Sequence, residues 1–515
     1  MGYGKTSIAN STLQDLIETA KITLTIEGAS IRRIQEAFKS GDLTSRKLIE
    51  HYLQRIERYD QNGPGINSIV TLNREALREA DRLDRMLSET CIMRGPLHGI
   101  PFLIKDQIET KNLRTTFGSI AFENYVPEED ATVVKRIRAS GGIVLGKANM
   151  PDFGVSWYGV SSISGHTLNP YDLGRDPGGS SSGIGAGIAA NFATVGIGED
   201  TAGSIRVPAS FCNLYGIRVT TGIISRHGAS PIINFQDTLG PIARNVVDLA
   251  TVLDVIVGYD GNDPATAICT LKQGENSYAE SLDPKALEVT KIGVLSDPML
   301  KDTDSEILDV MQKARDLMGG KGADFVDGVS LGDLSKRIYE SSLYDIQAKR
   351  DINSFISTRH YSPYKSIEKI VASGAYHKLV DILPAVANGE SDITQYPGYY
   401  RKRMEQYMLR DKIIQTLAAL KLDAIIYPSA RILPPRKEDI LNGKWKGMDF
   451  PVNSLISSHS GCPAITIPAG FTDQGLPVGM ELMGRPFGEQ TLLNIAYSFE
   501  RVARKRTDPP STPAL

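Results

Sequence analysis

Residues 177–198 read PGGSSSGIGAGIAANFATVGIG, twenty-two positions without a charge. A stretch of that length and neutrality invites reading as a membrane span. Its content argues otherwise. Seven glycines and the consecutive Ser180, Ser181 and Ser182 replace the large apolar side chains that a spanning helix needs. Glycine at this density indicates tight turns and backbone that approaches something closely. The segment is therefore expected to be buried and to carry chemistry.

Outward from it, short apolar runs alternate with helical stretches. Ile100–Ile104, Gly142–Leu145 and Val195–Ile197 have strand texture, and Ala131–Ser140 has helical texture. Such alternation predicts an α/β sheet covered on both faces. Upstream, residues 24–90 keep apolar positions three and four apart and read as a helical layer, with Thr44 as an N-cap. Downstream, residues 262–420 are less patterned. Helices are expected at Ser305–Met318 and Met404–Leu420, with loops and short helices over 359–400. Strands return at Ala424–Tyr427, Ala464–Ile467 and Val478–Met483, followed by a helix near Glu489–Val502. The Pro-rich tail Asp508–Leu515 is expected to fray.

Composition narrows the classes. The chain has 515 residues, 41% hydrophobic and 23% charged, which excludes global disorder. Lys+Arg 57 against Asp+Glu 60 leaves −3, so no global field draws the chain to nucleic acid. Cys91, Cys212, Cys269 and Cys462 are far apart and suggest neither a disulfide framework nor a zinc site; they fit a reducing, cytoplasmic setting. No metal and no cofactor are expected, since no HExxH motif or close His–carboxylate cluster occurs. The N-terminus lacks an apolar signal region, and Gly2 with Thr6 matches the myristoylation pattern only in its two fixed positions.

Two motifs mislead. Gly141–Ala148 nearly spells a phosphate-binding loop, but Ala148 stands where a magnesium-holding hydroxyl is needed. Gly179-Ser180-Ser181-Ser182-Gly183 matches the nucleophile elbow of esterases, yet a loop precedes it instead of a strand. An esterase would also need a partner among His227, His360, His377 and His459, none of which has a distinguishing neighbour.

Three pieces together carry chemistry. Gly95–Asp106 (GPLHGIPFLIKD) places Lys105 at the end of an apolar run. GGSSSG contributes Ser180, and DTAGSIR contributes Ser204, 24 residues later. A buried lysine loses ammonium hydration and becomes a competent base. Two serines and such an amine can form a nucleophile and a proton relay without histidine. The small residues Thr201-Ala202-Gly203 before Ser204 let backbone N–H groups face a substrate oxygen.

On these motifs the sequence resembles the amidase signature family of serine hydrolases over about residues 26–507. Further matches are Arg114-Thr-Thr-Phe-Gly-Ser119, Asp130-Ala131, Gly146-Lys147-Ala-Asn149, Asn453 with Gly461-Cys-Pro463, Pro468-Ala-Gly470 and Leu476-Pro-Val-Gly479. The resemblance implies a single large α/β/α domain, 26–507, after an extension over 1–25. Its twisted mixed sheet would have about ten or eleven strands covered by helices on both faces. Within it, a helical layer would run to about 90, a signature core over 95–260, a variable pocket region over 262–420 and a C-terminal sheet part over 421–507. It implies Ser204 as nucleophile, Ser180 as relay with a cis peptide bond, and Lys105 as base. The oxyanion hole would use Thr201, Ala202, Gly203 and Ser204. Ser181 would hydrogen-bond Lys105, and Asp200 with Arg206 would brace the nucleophile. Trp157, Tyr158, Phe235, Gln236 and Asp237, with the Tyr-rich 339–400 stretch, fall where the family builds its substrate pocket. Two positions depart from the family pattern: Ala202 replaces a glycine, and Gln107 follows Lys105-Asp106 where asparagine is usual.

The expected function is hydrolysis of a small or medium apolar or aromatic amide through an acyl-enzyme. The alternatives are an amidotransferase subunit that releases ammonia from glutamine, and an acyltransferase. The expected partner is the small-molecule amide alone, with no nucleic acid and no membrane span; a homodimer is the working expectation for assembly.

Overall fold

The structure is a computed structural model that describes residues 25–271, 277–359 and 363–515. The lipidation pattern at Gly2, most of the 1–25 extension and His360 lie outside the described residues.

An eleven-stranded mixed sheet organises the chain. Its strands in chain order are β1 (Ile69–Leu72), β2 (Pro101–Lys105), β3 (Ile143–Ala148), β4 (Val195–Asp200), β5 (Tyr215–Arg218), β6 (Thr238–Ala243), β7 (Lys291–Leu295), β8 (Asp324–Val329), β9 (Ala424–Pro428), β10 (Ala464–Phe471) and β11 (Pro477–Met483). In space they run β1-β3-β2-β4-β6-β5-β10-β11-β9-β7-β8. Parallel pairs β3–β2–β4 form one half and β9–β7–β8 the other, with antiparallel β6, β5, β10 and β11 between. Every residue of β2, β3 and β4 is buried, so both faces are covered, as expected for parallel strands flanked by helices, and antiparallel β6 is buried throughout as well.

The uncharged stretch resolves into a turn, the helix Ser182–Ala189 and strand β4. All eight helical residues are buried. Glycine is required at Gly183 because a Cβ there would collide with the Ser68 carbonyl and the Asn149 backbone nitrogen. Among the described residues no helix is long and apolar enough to cross a membrane.

Three expectations needed correction. Residues 24–90 are not wholly helical: β1 interrupts the helices Ile31–Ser40, Ser45–Arg55 and Ala76–Thr90. β1 is only half buried at each position, which leaves no strong period-2 signal. Thr44 does cap its helix, accepting from Lys47 N at 3.1 Å. The sparsely patterned 262–420 region contributes two strands, β7 and, at the sheet edge, β8. The tail is tied down: the fully buried Arg55 guanidinium donates to the Thr512 and Pro513 carbonyls, each at 2.9 Å, and Asn191 donates to Asp508.

Candidate active site

The site forms where the ends of β2 and β4 meet the Gly178–Ser182 turn. Their parallel register sets Ile104 of β2 beside Ile197 of β4, so Lys105 and Glu199 emerge at the same end. Gly179–Ser180 is a cis peptide bond. Lys105 is fully buried and its Nζ lies 2.8 Å from Ser180 Oγ. Burial pushes the Lys105 amine below its ordinary value, and the nearby Glu199 carboxylate works against that shift.

Ser204 stands just past β4, 4% exposed. Ser181 N donates to the Ser204 carbonyl at 3.1 Å. The Ser204 hydroxyl makes no hydrogen bond among the described residues, which leaves it open to a reactant. The Gly203 N–H is taken by Asp200 Oδ1 at 2.8 Å. Of the four N–H groups implied by resemblance, that of Gly203 is thus already engaged. Ala202 is buried in the apolar cluster that holds Trp157, Val207 and Phe211, and its carbonyl accepts from Ser454 Oγ at 2.7 Å.

Asp200 and Arg206 pair as expected, at 3.0 Å, and both are fully buried. The sequence did not reveal the rest of this brace. Arg218 Nη1 reaches Asp200 Oδ1 at 3.0 Å, and Glu481 on β11 pairs with Arg206. Burial alone would raise the Asp200 carboxyl, but the two guanidiniums hold it well below the carboxylate range.

Ser181 differs from expectation. Its hydroxyl donates to the Glu199 carbonyl at 3.3 Å rather than bonding Lys105. Lys105 Nζ donates to that same carbonyl at 3.1 Å, so both side chains converge on one acceptor. Glu199 itself was missed. Its Oε2 lies 3.1 Å from Lys105 Nζ, and its Oε1 lies 2.8 Å from Thr201 Oγ1. The available signal was a second acid beside Asp200 at a strand end, where one carboxylate suffices for Arg206.

Of the residues expected in the pocket, Gln236 touches the Ser204 loop through the Thr201 carbonyl, and a Cβ on Gly203 would lie 3.3 Å from the Trp157 ring. Trp157 stacks on Phe450 with centroids 6.1 Å apart, and Tyr158 meets Phe450 edge-on. Phe235 lies under the Arg403 guanidinium at 3.7 Å. Gln236 donates to the Thr201 carbonyl at 2.7 Å and accepts from Gln406 at 3.1 Å. Phe235 and Gln236 also line a cavity of about 770 Å³.

The misleading motifs find other roles. Lys147 lies inside β3, not on a phosphate-binding turn, and bonds the Ile108 carbonyl and Thr115 Oγ1. Burial lowers its amine to about 8. His459 is buried against Ser341, and burial drops its imidazole to about 3. Among the described residues no histidine bonds Ser181. Asp106 turns from Lys105 to accept from Thr116 N at 2.9 Å and Gly118 N at 3.2 Å, and Gln107 donates to the Ser230 carbonyl at 2.8 Å.

Known proteins share this architecture and much of this sequence. The amidase sequence profile matches residues 47–493. The A-subunit of the glutamyl-tRNA(Gln) amidotransferase of Geobacter metallireducens is 32% identical over 502 residues, covering 93% of this chain and 98% of that protein. The crystal structure of native peptide amidase from Stenotrophomonas maltophilia superposes with a TM-score of 0.84 at 33% identity, covering 94% of this chain and 99% of that one. The corresponding amidotransferase A-subunit from Thermotoga maritima gives 0.75 at 25% identity, covering 96% and 99%. With a profile match across most of its length and a relative this similar end to end, the chain belongs to the amidase signature family.

Proposed function

We propose that this protein hydrolyses a carboxylic amide through an acyl-enzyme on Ser204. The observation that carries the reading is the 2.8 Å contact between buried Lys105 Nζ and Ser180 Oγ, with Ser204 tied to the same turn by the bond from Ser181 N to its carbonyl at 3.1 Å. Neutral Lys105 takes the Ser180 proton as Ser180 takes that of Ser204. Ser204 Oγ attacks the amide carbonyl, and the N–H groups of Thr201, Ala202 and Ser204 receive the oxyanion. The relay reverses to protonate the departing nitrogen, because an amide anion is a poor leaving group. Water, activated by the same relay, then releases the acid.

The apolar wall of Trp157, Tyr158 and Phe450 suits an aromatic or aliphatic substrate group of small or medium size. Likeness to a peptide amidase puts peptide amides first among the candidates. A second reading, release of ammonia from glutamine within an amidotransferase, is favoured by the sequence relatives that carry the amidotransferase name.

The test is fluorophosphonate labelling with peptide mapping, followed by turnover of a panel of peptide amides, simple aromatic amides and glutamine. Label on Ser204 with turnover of the peptide or aromatic amides is expected. Turnover of glutamine alone would favour the second reading. Absence of label on Ser204 would overturn both. Hydroxylamine added during turnover distinguishes transfer of the acyl group from hydrolysis.

A further inference from the structure

Thr201 Oγ1 lies between two carboxyl oxygens, 2.8 Å from Glu199 Oε1 and 2.7 Å from Asp237 Oδ1. A threonine hydroxyl has one hydrogen to donate. It satisfies one of these oxygens and must receive a hydrogen from the other. One of the two carboxyl groups therefore carries a proton. Both residues are buried, so no water-exposed face offers a cheaper arrangement.

Lys105 Nζ has three neighbours: Ser180 Oγ, the Glu199 carbonyl and Glu199 Oε2. An ammonium would spend its three hydrogens on all three and donate to Ser180, the wrong direction for a base. A neutral amine has two hydrogens and a lone pair. It can donate to both Glu199 oxygens and accept from Ser180. That arrangement is complete if Glu199 is a neutral acid that donates from Oε1 to Thr201, with Thr201 donating to an ionised Asp237. Asp237 is prepared for the charge, accepting from Ile232 N at 2.9 Å and Ile233 N at 3.1 Å.

We propose that Glu199 is a positioning residue for Lys105: it shares one proton with Asp237 across the Thr201 hydroxyl, and when that proton lies on Glu199 the amine is left neutral and turned to accept from Ser180. The inference rests on the Ser204–Ser180–Lys105 reading. The transfer balances. Asp237 gives its proton to Thr201 Oγ1 as the Thr201 hydrogen passes to Glu199 Oε1. The Lys105 ammonium, no longer facing an anion, releases one proton to water.

The other charged and titratable groups facing this cluster are accounted for. Asp200 on β4 is held by Arg206 and Arg218. Tyr344, preceding the helix Gln347–Ser357, faces Glu199, Asp237 and Asp200, and burial keeps its phenol protonated. Burial and the charge of Glu199 together push Asp237 up to about 8, so with Glu199 ionised the shared proton rests on Asp237 at neutral pH and must cross the Thr201 hydroxyl to reach Glu199.

The test is the pH dependence of Ser204 labelling and of amide turnover in wild type, Glu199→Gln and Thr201→Val. The amide in Glu199→Gln copies the neutral acid permanently, so the acid limb moves to lower pH by about one unit or more. Thr201→Val removes the bridge, keeps Lys105 paired with an anion, and moves the limb to higher pH. A fixed Glu199 anion would also move the limb up in Thr201→Val, because losing a donor leaves its charge less screened beside Lys105, so the infrared readout separates the two cases. Infrared difference spectra at a pH above the limb give a readout without activity: a carboxylic-acid carbonyl band is present in wild type and missing in Glu199→Gln. An unmoved limb in Glu199→Gln, a downward or absent shift in Thr201→Val, or no band difference overturns the role of Glu199. Failure of wild type to label on Ser204 overturns the underlying site reading instead.

Discussion

The backbone N–H of Ser181 donates to the carbonyl of Ser204 at 3.1 Å. This single bond ties the glycine-rich turn to the Ser204 loop, so Ser180 and Ser204 share one frame although 24 residues separate them. Preorganisation of this kind makes the site sensitive to small changes.

Removing the amine tests the base. Lys105→Ala leaves Ser180 with no acceptor for its proton. Fluorophosphonate labelling of Ser204 should slow by about 10²–10⁴-fold. Intact-protein mass spectrometry over time reads the rate, and circular dichroism checks that the buried deletion has not unfolded the chain.

The pH profile has a definite sign. Burial holds the Lys105 amine below its ordinary value. Above its titration the amine is neutral and activity is full; as pH falls through it, the amine gains a proton and kcat/KM declines. A rate that stays flat from about pH 5 to 9, with chemistry limiting, is incompatible with the assignment.

Gly203 has φ +134°, and a Cβ there would collide with Ser454 Oγ. Gly203→Ala should displace the N–H groups beside Ser204 and lower kcat by about 10²-fold or more, as loss of an oxyanion donor does. A variant with kcat within a few-fold of wild type would show that the loop tolerates the shift.

Asp200→Asn should destabilise the fold by about 3–5 kcal/mol, because it leaves Arg206 and Arg218 buried beside a neutral amide. Urea unfolding at neutral pH measures it. The Asp200 carboxyl is held below its unfolded value, so its contribution is present above about pH 4 and is lost as pH falls toward the folded value. The gap between wild type and variant should narrow on acidification.

Trp157 and Gln236 should separate in kinetics. Trp157→Ala opens the wall beside Gly203 and should raise KM for aromatic amides about tenfold, with a smaller effect on short aliphatic ones. Gln236→Ala frees the Thr201 carbonyl and should act mainly on kcat. Equal effects of Trp157→Ala on all amides would remove it from the pocket.

Much of the candidate site was legible because its chemistry is concentrated in short motifs. Lys105 ends an apolar strand, and the two serines lie in glycine-rich stretches that single them out only when taken together. The pairing of Asp200 with Arg206 was implied by the family resemblance, and the structure places the two 3.0 Å apart. Glu199 was not legible as a neighbour of Lys105, since the contact depends on the register of β2 against β4. Arg218, Asp237 and Glu481 reach the site from β5, the loop before β6, and β11. Nothing local in the sequence marks those convergences. Strand β8 was missed for a related reason: at the edge of the sheet, partial burial blurs its apolar pattern.

The sequence by itself determined the α/β class, the burial of the uncharged stretch and the set of candidate reactive side chains. These depend on residue type and short spacing, which the local chain carries. Only the tertiary structure decided where protons can sit. The Lys105–Ser180 contact, the sharing of Thr201 between Glu199 and Asp237, and the diversion of the Gly203 N–H to Asp200 are set by distances of about 3 Å between distant segments. Strand pairing and close packing set such distances, and a linear pattern of residues does not contain them.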